Sequence, residues 1–162
     1  MATAGQLDLT QFEETWYHQE RTPGIRIITK FNLSENTYSI TCVQIIEKNT
    51  QGLEQRAFYY PLAIALFTPD GKEIDLNLRD NSFQNRIQDG ILIISKPEET
   101  FVFEGIDMEP KISLNRSFSA PIQVYCDMID PVFLMKYETD GFARYEAAQE
   151  YTISVIRSIM DG

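Results

Sequence analysis

One histidine, two cysteines and a few neighbouring carboxylates are the residues best suited to chemistry in this 162-residue chain. His18 stands in the run YHQERT, without the Glu and second His that would put two imidazoles on one face of a zinc-binding helix. It reads instead as a solvent-facing residue on a short helix. Cys42 and Cys126 fall in separate strand-like runs and read as free thiols rather than a disulfide. No serine occupies a G-x-S-x-G elbow, and a serine or cysteine nucleophile would have only His18 as its base.

Acidic neighbours occur at Glu13-Glu14, at Glu98-Glu99 and at Asp107 with Glu109. General acid–base catalysis needs two carboxylates at a fixed separation with divergent pKa values, whereas adjacent acids in turns usually solvate the surface. The loop Arg79-Asp80-Asn81-Ser82 lacks the alternating ligand spacing of a calcium loop. The glycines are scattered among turns, so no phosphate-cradling loop is present. No residue is therefore assigned a catalytic, cofactor-binding or metal-ligating role.

Aromatic residues make up 12% of the chain. Trp16, Tyr17, Tyr59, Tyr60, Phe101 and Phe103 could form a sugar-binding platform, but most stand at alternating strand positions, which suits core filling better. A net charge of −10 argues against nucleic-acid or anionic-membrane partners, which need a basic patch. No apolar run reaches bilayer-spanning length, and the start MATAGQLDLTQF lacks the basic and apolar regions of a signal peptide. The expectation is a cytoplasmic protein.

The elements that would carry these residues follow from periodicity. Residues 8–18 read as a short helix, with Thr10 and Glu13 in capping-box spacing and Phe12 and Trp16 on one face. Pro23 and Gly24 end it. The period then changes to two, with strands expected at 25–31, 37–46 and 58–67. Pro61 demotes the start of the third to an edge or bulge. The turn TPDG at 68–71 leads into alternating Ile74, Leu76 and Leu78, predicting a hairpin over 58–79. Loops are expected at 47–56 and 80–90, and further strands at 91–95, 100–105, 111–118 and 121–127.

Short strands with turn chemistry between them predict an all-β, immunoglobulin-like antiparallel β-sandwich, with a short N-terminal helix and C-terminal helices. Asp130-Pro131 and Asp140 mark two helix starts. Phe142, Tyr145, Gln149, Thr152, Ile156 and Ile159 form the expected apolar stripe of the second helix. The domain division expected is a leading segment at 1–24, a sandwich at 25–128 and the start of a helical domain at 129–162.

Four blocks in order resemble the aminopeptidase N, or alanyl aminopeptidase, family of HExxH zinc metallopeptidases, in the segment after its catalytic domain. They are Asp8-Leu-Thr-Gln-Phe12 with Trp16-Tyr17, Gln19 and Thr22-Pro23; the hairpin with Pro61-Leu62, Ala65-Leu66-Phe67 and Gly71-Lys72; Phe101-Val-Phe103, Pro110, Ser113-Leu114, Arg116 and Phe118-Ser-Ala-Pro121; and Asp140, Phe142, Arg144, Tyr145, Glu146-Ala147 and Gln149. The resemblance implies a parent enzyme that removes N-terminal residues from peptides with one zinc ion. Its zinc motif would lie upstream, leaving no catalytic or metal residue to carry over.

What the resemblance assigns to this chain is a non-catalytic structural role. Its partners would be the catalytic domain and the C-terminal helical domain of the same parent. In the FSAP block, Phe118 is expected to be a buried core residue, Ala120 to pack closely, and Pro121 to mark a strand bend before inward-facing Ile122, Val124 and Cys126. Two rival readings stand beside this one. One is an autonomous Ig-like binding module for protein or carbohydrate, using exposed Tyr59 or Tyr60. The other is a module of an aminopeptidase-like scaffold protein that lacks zinc.

Overall fold

A computed structural model describes residues 9–19, 22–47, 55–80, 87–88 and 90–161. Its described part begins with helix α1 (Thr10–His18). Leu9, not Thr10, is the N-cap, and no side chain caps the helix. The expected capping box fails because Thr10 already lies inside the first turn. The helix is held by tertiary contacts instead. The Trp16 indole donates to the Tyr59 carbonyl at 2.8 Å and packs edge-on to Phe58 at 5.3 Å between centroids. Phe12 lies 5.9 Å from Trp16, as their i, i+4 spacing requires.

Strands β1 (Gly24–Asn32), β2 (Thr37–Ile45), β7 (Glu98–Glu104) and β9 (Gln123–Tyr125) form one sheet in the order β7-β2-β1-β9. Strands β3 (Tyr60–Phe67), β4 (Glu73–Ile74), β5 (Ile87–Gln88), β6 (Ile91–Ile94) and β8 (Lys111–Leu114) form the other, with β8 paired to β3. β5 lies in the stretch expected to be loop, and it pairs with β6. The expectation of purely antiparallel pairing fails once: β9 runs parallel to β1, with Gly24 opposite Gln123. A crossing connection returns the chain to the far edge of the first sheet in that sense.

One apolar cluster joins side chains of both sheets. Ile25, Ile40, Phe101 and Phe103 of the first sheet and Tyr60, Leu62, Leu92 and Ile94 of the second are all fully buried within it. At about 25 cal/mol per Å² of apolar area removed from water, such residues supply most of the favourable energy of the fold. Ile122 is buried, and Val124 and Cys126 pack against the cluster as their alternation predicts. Both cysteines are free thiols.

Pro61 is accommodated as its chemistry demands. Tyr60 through Ala63 pair with β6 on one side, while β8 pairs only with residues 64–67 of β3. The half of β3 that lacks a donor therefore has a strand neighbour on one side only. The hairpin at 68–71 also forms. Thr68 exchanges backbone bonds with Gly71 and Lys72, Gly71 sits at φ +91°, and Phe67 pairs with Glu73. After Ile74 the chain leaves β3, and Leu78 bridges to Phe103 in the other sheet.

The run expected as one strand at 111–118 stops at Leu114. Asn115 turns left-handed, and residues Arg116–Phe118 form a short turn with 3₁₀-type hydrogen bonds that is kinked at Ser117. Helices α2 (Pro131–Tyr137) and α3 (Gly141–Met160) follow. Both starts are as expected: Asp130 accepts from the Phe133 amide with Pro131 in the first turn, and Asp140 accepts from the Ala143 amide.

Candidate functional site: the junction between sheets and helices

The polar groups that the sequence leaves without a role converge where β8, the 3₁₀ turn and the two helices meet. Helix α2 brings Phe133 and Leu134 onto Ala65 and Phe67 of β3, and α3 adds Ala147, forming a second small core. The face of α3 that packs is Ala143 and Ala147, not the stripe expected from periodicity. Of that stripe, Tyr145, Ile156 and Ile159 are exposed, while Phe142 is partly covered by Phe118 at 5.1 Å. Small residues face inward because α3 packs against α2 and the 115–118 turn, where alanine permits close approach.

Arg116 is the hub of the junction. Its Nη2 donates to Glu138 Oε1 at 2.9 Å and to Thr139 Oγ1 at 2.9 Å, and its Nη1 donates to Glu73 Oε1 at 3.0 Å. The Glu138 side chain is wholly buried and that of Arg116 is 18% exposed. Burial opposes the charge on Arg116, but the two carboxylates outweigh it and hold the guanidinium pKa above its ordinary value. The guanidinium also lies over the Phe67 ring at 6.0 Å. Glu138 reaches back to accept from the Asp140 amide at 2.7 Å, which ties the pair to the start of α3.

Asp140 serves two elements at once. Its Oδ1 accepts from Ala143 N at 2.8 Å and from Ser117 N at 2.9 Å, while its Oδ2 accepts from Ser117 Oγ at 2.6 Å. Desolvation pushes its pKa up, yet the Ser117 hydroxyl and amide, the Ala143 amide and Arg116 together hold it below the usual carboxylate range. The turn it grips is left-handed at Asn115, Ser117 and Phe118, with φ values of 53°, 55° and 51°. Inside the turn, Asn115 donates to the Ala120 carbonyl and accepts from the Ala120 amide, both at 3.1 Å.

The hairpin also joins the junction. A Cβ on Gly71 would overlap the Tyr137 ring of α2, so glycine is required there by both its positive φ and its neighbour. Lys111 of β8 donates to Asp130 Oδ2 at 2.9 Å, tying the cap of α2 to the second sheet.

This geometry ties the 115–118 turn, β4 and the start of α3 together. Ser117 and Asp140 form a nucleophile–carboxylate contact at the junction, but a carboxylate with a lowered pKa is a poor acceptor for a serine proton. The cleft beside them, about 620 Å³ and lined by Pro61, Ala63, Ile91, Arg116, Ser117 and Asp140, has its charged groups already engaged: Arg116 by Glu73 and Glu138, and Asp140 by Ser117.

The residues singled out from sequence are scattered. His18 is exposed on α1. Of the acidic pairs, Glu13, Glu14, Glu98, Asp107 and Glu109 are exposed, but Glu99 is buried and accepts from the Ser95 amide at 2.7 Å and the Lys96 amide at 3.1 Å. It closes the β6–β7 turn rather than solvating the surface. Tyr60, expected as an exposed aromatic in the binding-module reading, is 0% exposed. Phe118, expected in the core, is 53% exposed. Among the described residues no three His, Cys, Asp or Glu side chains converge on a point that could hold a metal ion, so the donor set does not fit zinc. No described helix is long and apolar enough to cross a membrane.

Comparison with known proteins places this arrangement. Residues 21–127 match the family described as a domain of unknown function (DUF3458) with an Ig-like fold. Aminopeptidase N of Escherichia coli K12 is 28% identical over 159 residues, which is 97% of this chain and 18% of the enzyme. Aminopeptidase N of Haemophilus influenzae is 28% identical over 151 residues, 92% of this chain and 17% of the enzyme. The crystal structure of Legionella pneumophila aminopeptidase A in complex with aspartic acid superposes with a TM-score of 0.75 at 25% identity. That match covers 96% of this chain and 16% of the enzyme, so the chain spans less than a fifth of the length of these relatives.

Proposed function

We propose, from the premise that the chain belongs to the Ig-like DUF3458 family, that it is a non-catalytic interdomain module of a cytoplasmic zinc aminopeptidase. The observation that carries this reading is the coverage. Nearly all of this chain aligns with one stretch of aminopeptidases about six times its length, and their remaining length is where a peptide-cleaving site would be found. The two sheets form an Ig-like sandwich over about residues 25–128, and residues 129–162 begin a helical domain. In this reading zinc binds elsewhere in the parent, and the lack of three converging donors among the described residues is consistent with that.

The junction supports the role. A spacer must transmit position, and Arg116, Glu138 and Asp140 fix the helices on the sheets through charge-assisted hydrogen bonds at 2.7–2.9 Å. Its partners are the catalytic and helical domains of the same polypeptide.

The test is an activity comparison. The isolated 162-residue chain should leave aminoacyl-p-nitroanilides intact with or without added zinc. The native polypeptide that contains it should release p-nitroaniline and lose that activity to a chelator. Hydrolysis by the isolated chain would overturn the non-catalytic assignment, and a zinc-independent native polypeptide would overturn the choice of parent.

A further inference from the structure

We propose that residues 115–118 form a strained latch that the first turn of α3 closes, so that seating the helices and holding the left-handed turn are one event. The proposal concerns this chain's own conformations and does not depend on which longer protein contains it.

Three non-glycine residues in four hold positive φ, one of them the bulky Phe118. Such backbone is costly and persists only where its surroundings over-determine it. Bonds internal to the turn fix part of it: Asn115 clasps Ala120, and Ser119 Oγ donates to Asn115 Oδ1 at 3.0 Å and accepts from Ala63 N at 2.8 Å. Those bonds hold the turn's two ends. Its middle carries two internal bonds, Phe118 N to Asn115 O and Ser119 N to Arg116 O, both 3.1 Å, and is held from outside as well, because both donors of Ser117 end on Asp140 and the Phe118 ring rests on Phe142.

The same carboxylate oxygen that accepts from Ser117 N accepts from Ala143 N. Helix capping and latch closure are thus joined at one atom, Asp140 Oδ1. Glu138 adds a second tie, since it binds Arg116, the residue between Asn115 and Ser117, and also the Asp140 amide. Lifting the start of α3 off the turn removes the outside contacts of Ser117 and Phe118 and leaves only the turn's own bonds to hold them left-handed. Relaxing the turn in turn withdraws Arg116 from Glu138. A junction of this kind has two discrete arrangements rather than a continuous hinge.

The test uses two substitutions of the capping residue in the 162-residue chain, read by hydrogen exchange. Asp140→Ser keeps a good N-cap for Ala143 but is too short to reach Ser117 as well. Asp140→Asn keeps an oxygen in the Oδ1 position for both amides. The expected result is at least about tenfold faster exchange at residues 116–119 and at Leu134 in Asp140→Ser, with cleavage by chymotrypsin appearing after Phe118. Asp140→Asn should retain protection at those positions. Trp16 fluorescence, from an indole packed on Phe58 and Tyr60, reports that the sheets remain folded. Ser117→Ala, which removes only the hydroxyl, should shift the same amides in the same direction by less. Unchanged exchange at 116–119 in Asp140→Ser would overturn the latch. Loss confined to the turn while Leu134 keeps its protection would overturn the coupling, as would equal loss in Asp140→Asn.

Discussion

Arg116 donates to Glu138 at 2.9 Å across the boundary between the last strand of one sheet and the link between two helices, and the Glu138 side chain has no exposure to solvent. A buried carboxylate tolerates its position only while its partner remains. Arg116→Met should therefore destabilise the chain by about 3–5 kcal/mol, the range for a buried ion pair broken on one side. The double variant with Glu138→Gln should recover part of that loss. Urea denaturation followed by circular dichroism measures both.

Acid should loosen the helices first. The carboxyls of Asp130 and Asp140 are both held below their ordinary range, Asp130 chiefly by the Lys111 side chain and the Phe133 amide. A carboxyl whose folded pKa is depressed contributes stability above its unfolded value of about 4, and loses it as pH falls through the folded value. Stability should thus decline as pH drops below about 4, and the Asp130→Asn/Asp140→Asn double variant should show a shallower acid limb in urea midpoint against pH. An identical limb would show that these carboxyls do not govern it.

Alkali should unfold the sheets through their buried tyrosines. Burial pushes the Tyr38 hydroxyl up to about 12 and raises that of Tyr60 as well. The fold holds protons that the unfolded chain gives up, so this stability is complete below a pH of about 10 and is lost as pH rises through the folded values. Phenolate absorbance should show Tyr38 and Tyr60 ionising only together with loss of strand signal.

Phe118→Ala should cost only about 1 kcal/mol, because the ring is half exposed and loses chiefly its contact with Phe142. Phe101→Ala, in the wholly buried cluster, should cost about 3–5 kcal/mol. Equal midpoints for the two variants would contradict the placement of Phe118.

That contrast shows where the sequence was legible. Alternation marked the strands at 25–31 and 37–46 and placed Phe101 and Ile122 inward, since period-two burial is a local property of a strand. Asp130, Asp140 and Gly71 were legible because caps and turns are written in a few adjacent residues. The junction was not. SLNRSF alternates like a strand, and only the distant Asp140 and Glu138 stabilise the left-handed turn that replaces it. Likewise the face of α3 that packs was hidden. Periodicity favours large apolar residues, while close packing against α2 favours Ala147. The parallel return of β9 also depends on topology rather than on local pattern.

The outer part of α3 should be the least protected helix in hydrogen exchange. Residues 151–160 are all exposed, including Ile153, Ile156 and Ile159, whereas Ala143 and Ala147 are buried. Amides beyond about residue 150 should exchange orders of magnitude faster than those of β2 or β3. Protection equal to those strands would show that the exposed turns are held by something other than contacts with the sheets.

The central claim is that this chain works as one part of a larger aminopeptidase, and the most direct test is the size of the native polypeptide. An antibody raised against the 162-residue chain should detect, in lysate of the source cells, a single band far above 18.7 kDa. A band at 18.7 kDa, with none above it, would contradict the account and leave a free-standing domain whose function must lie within these residues.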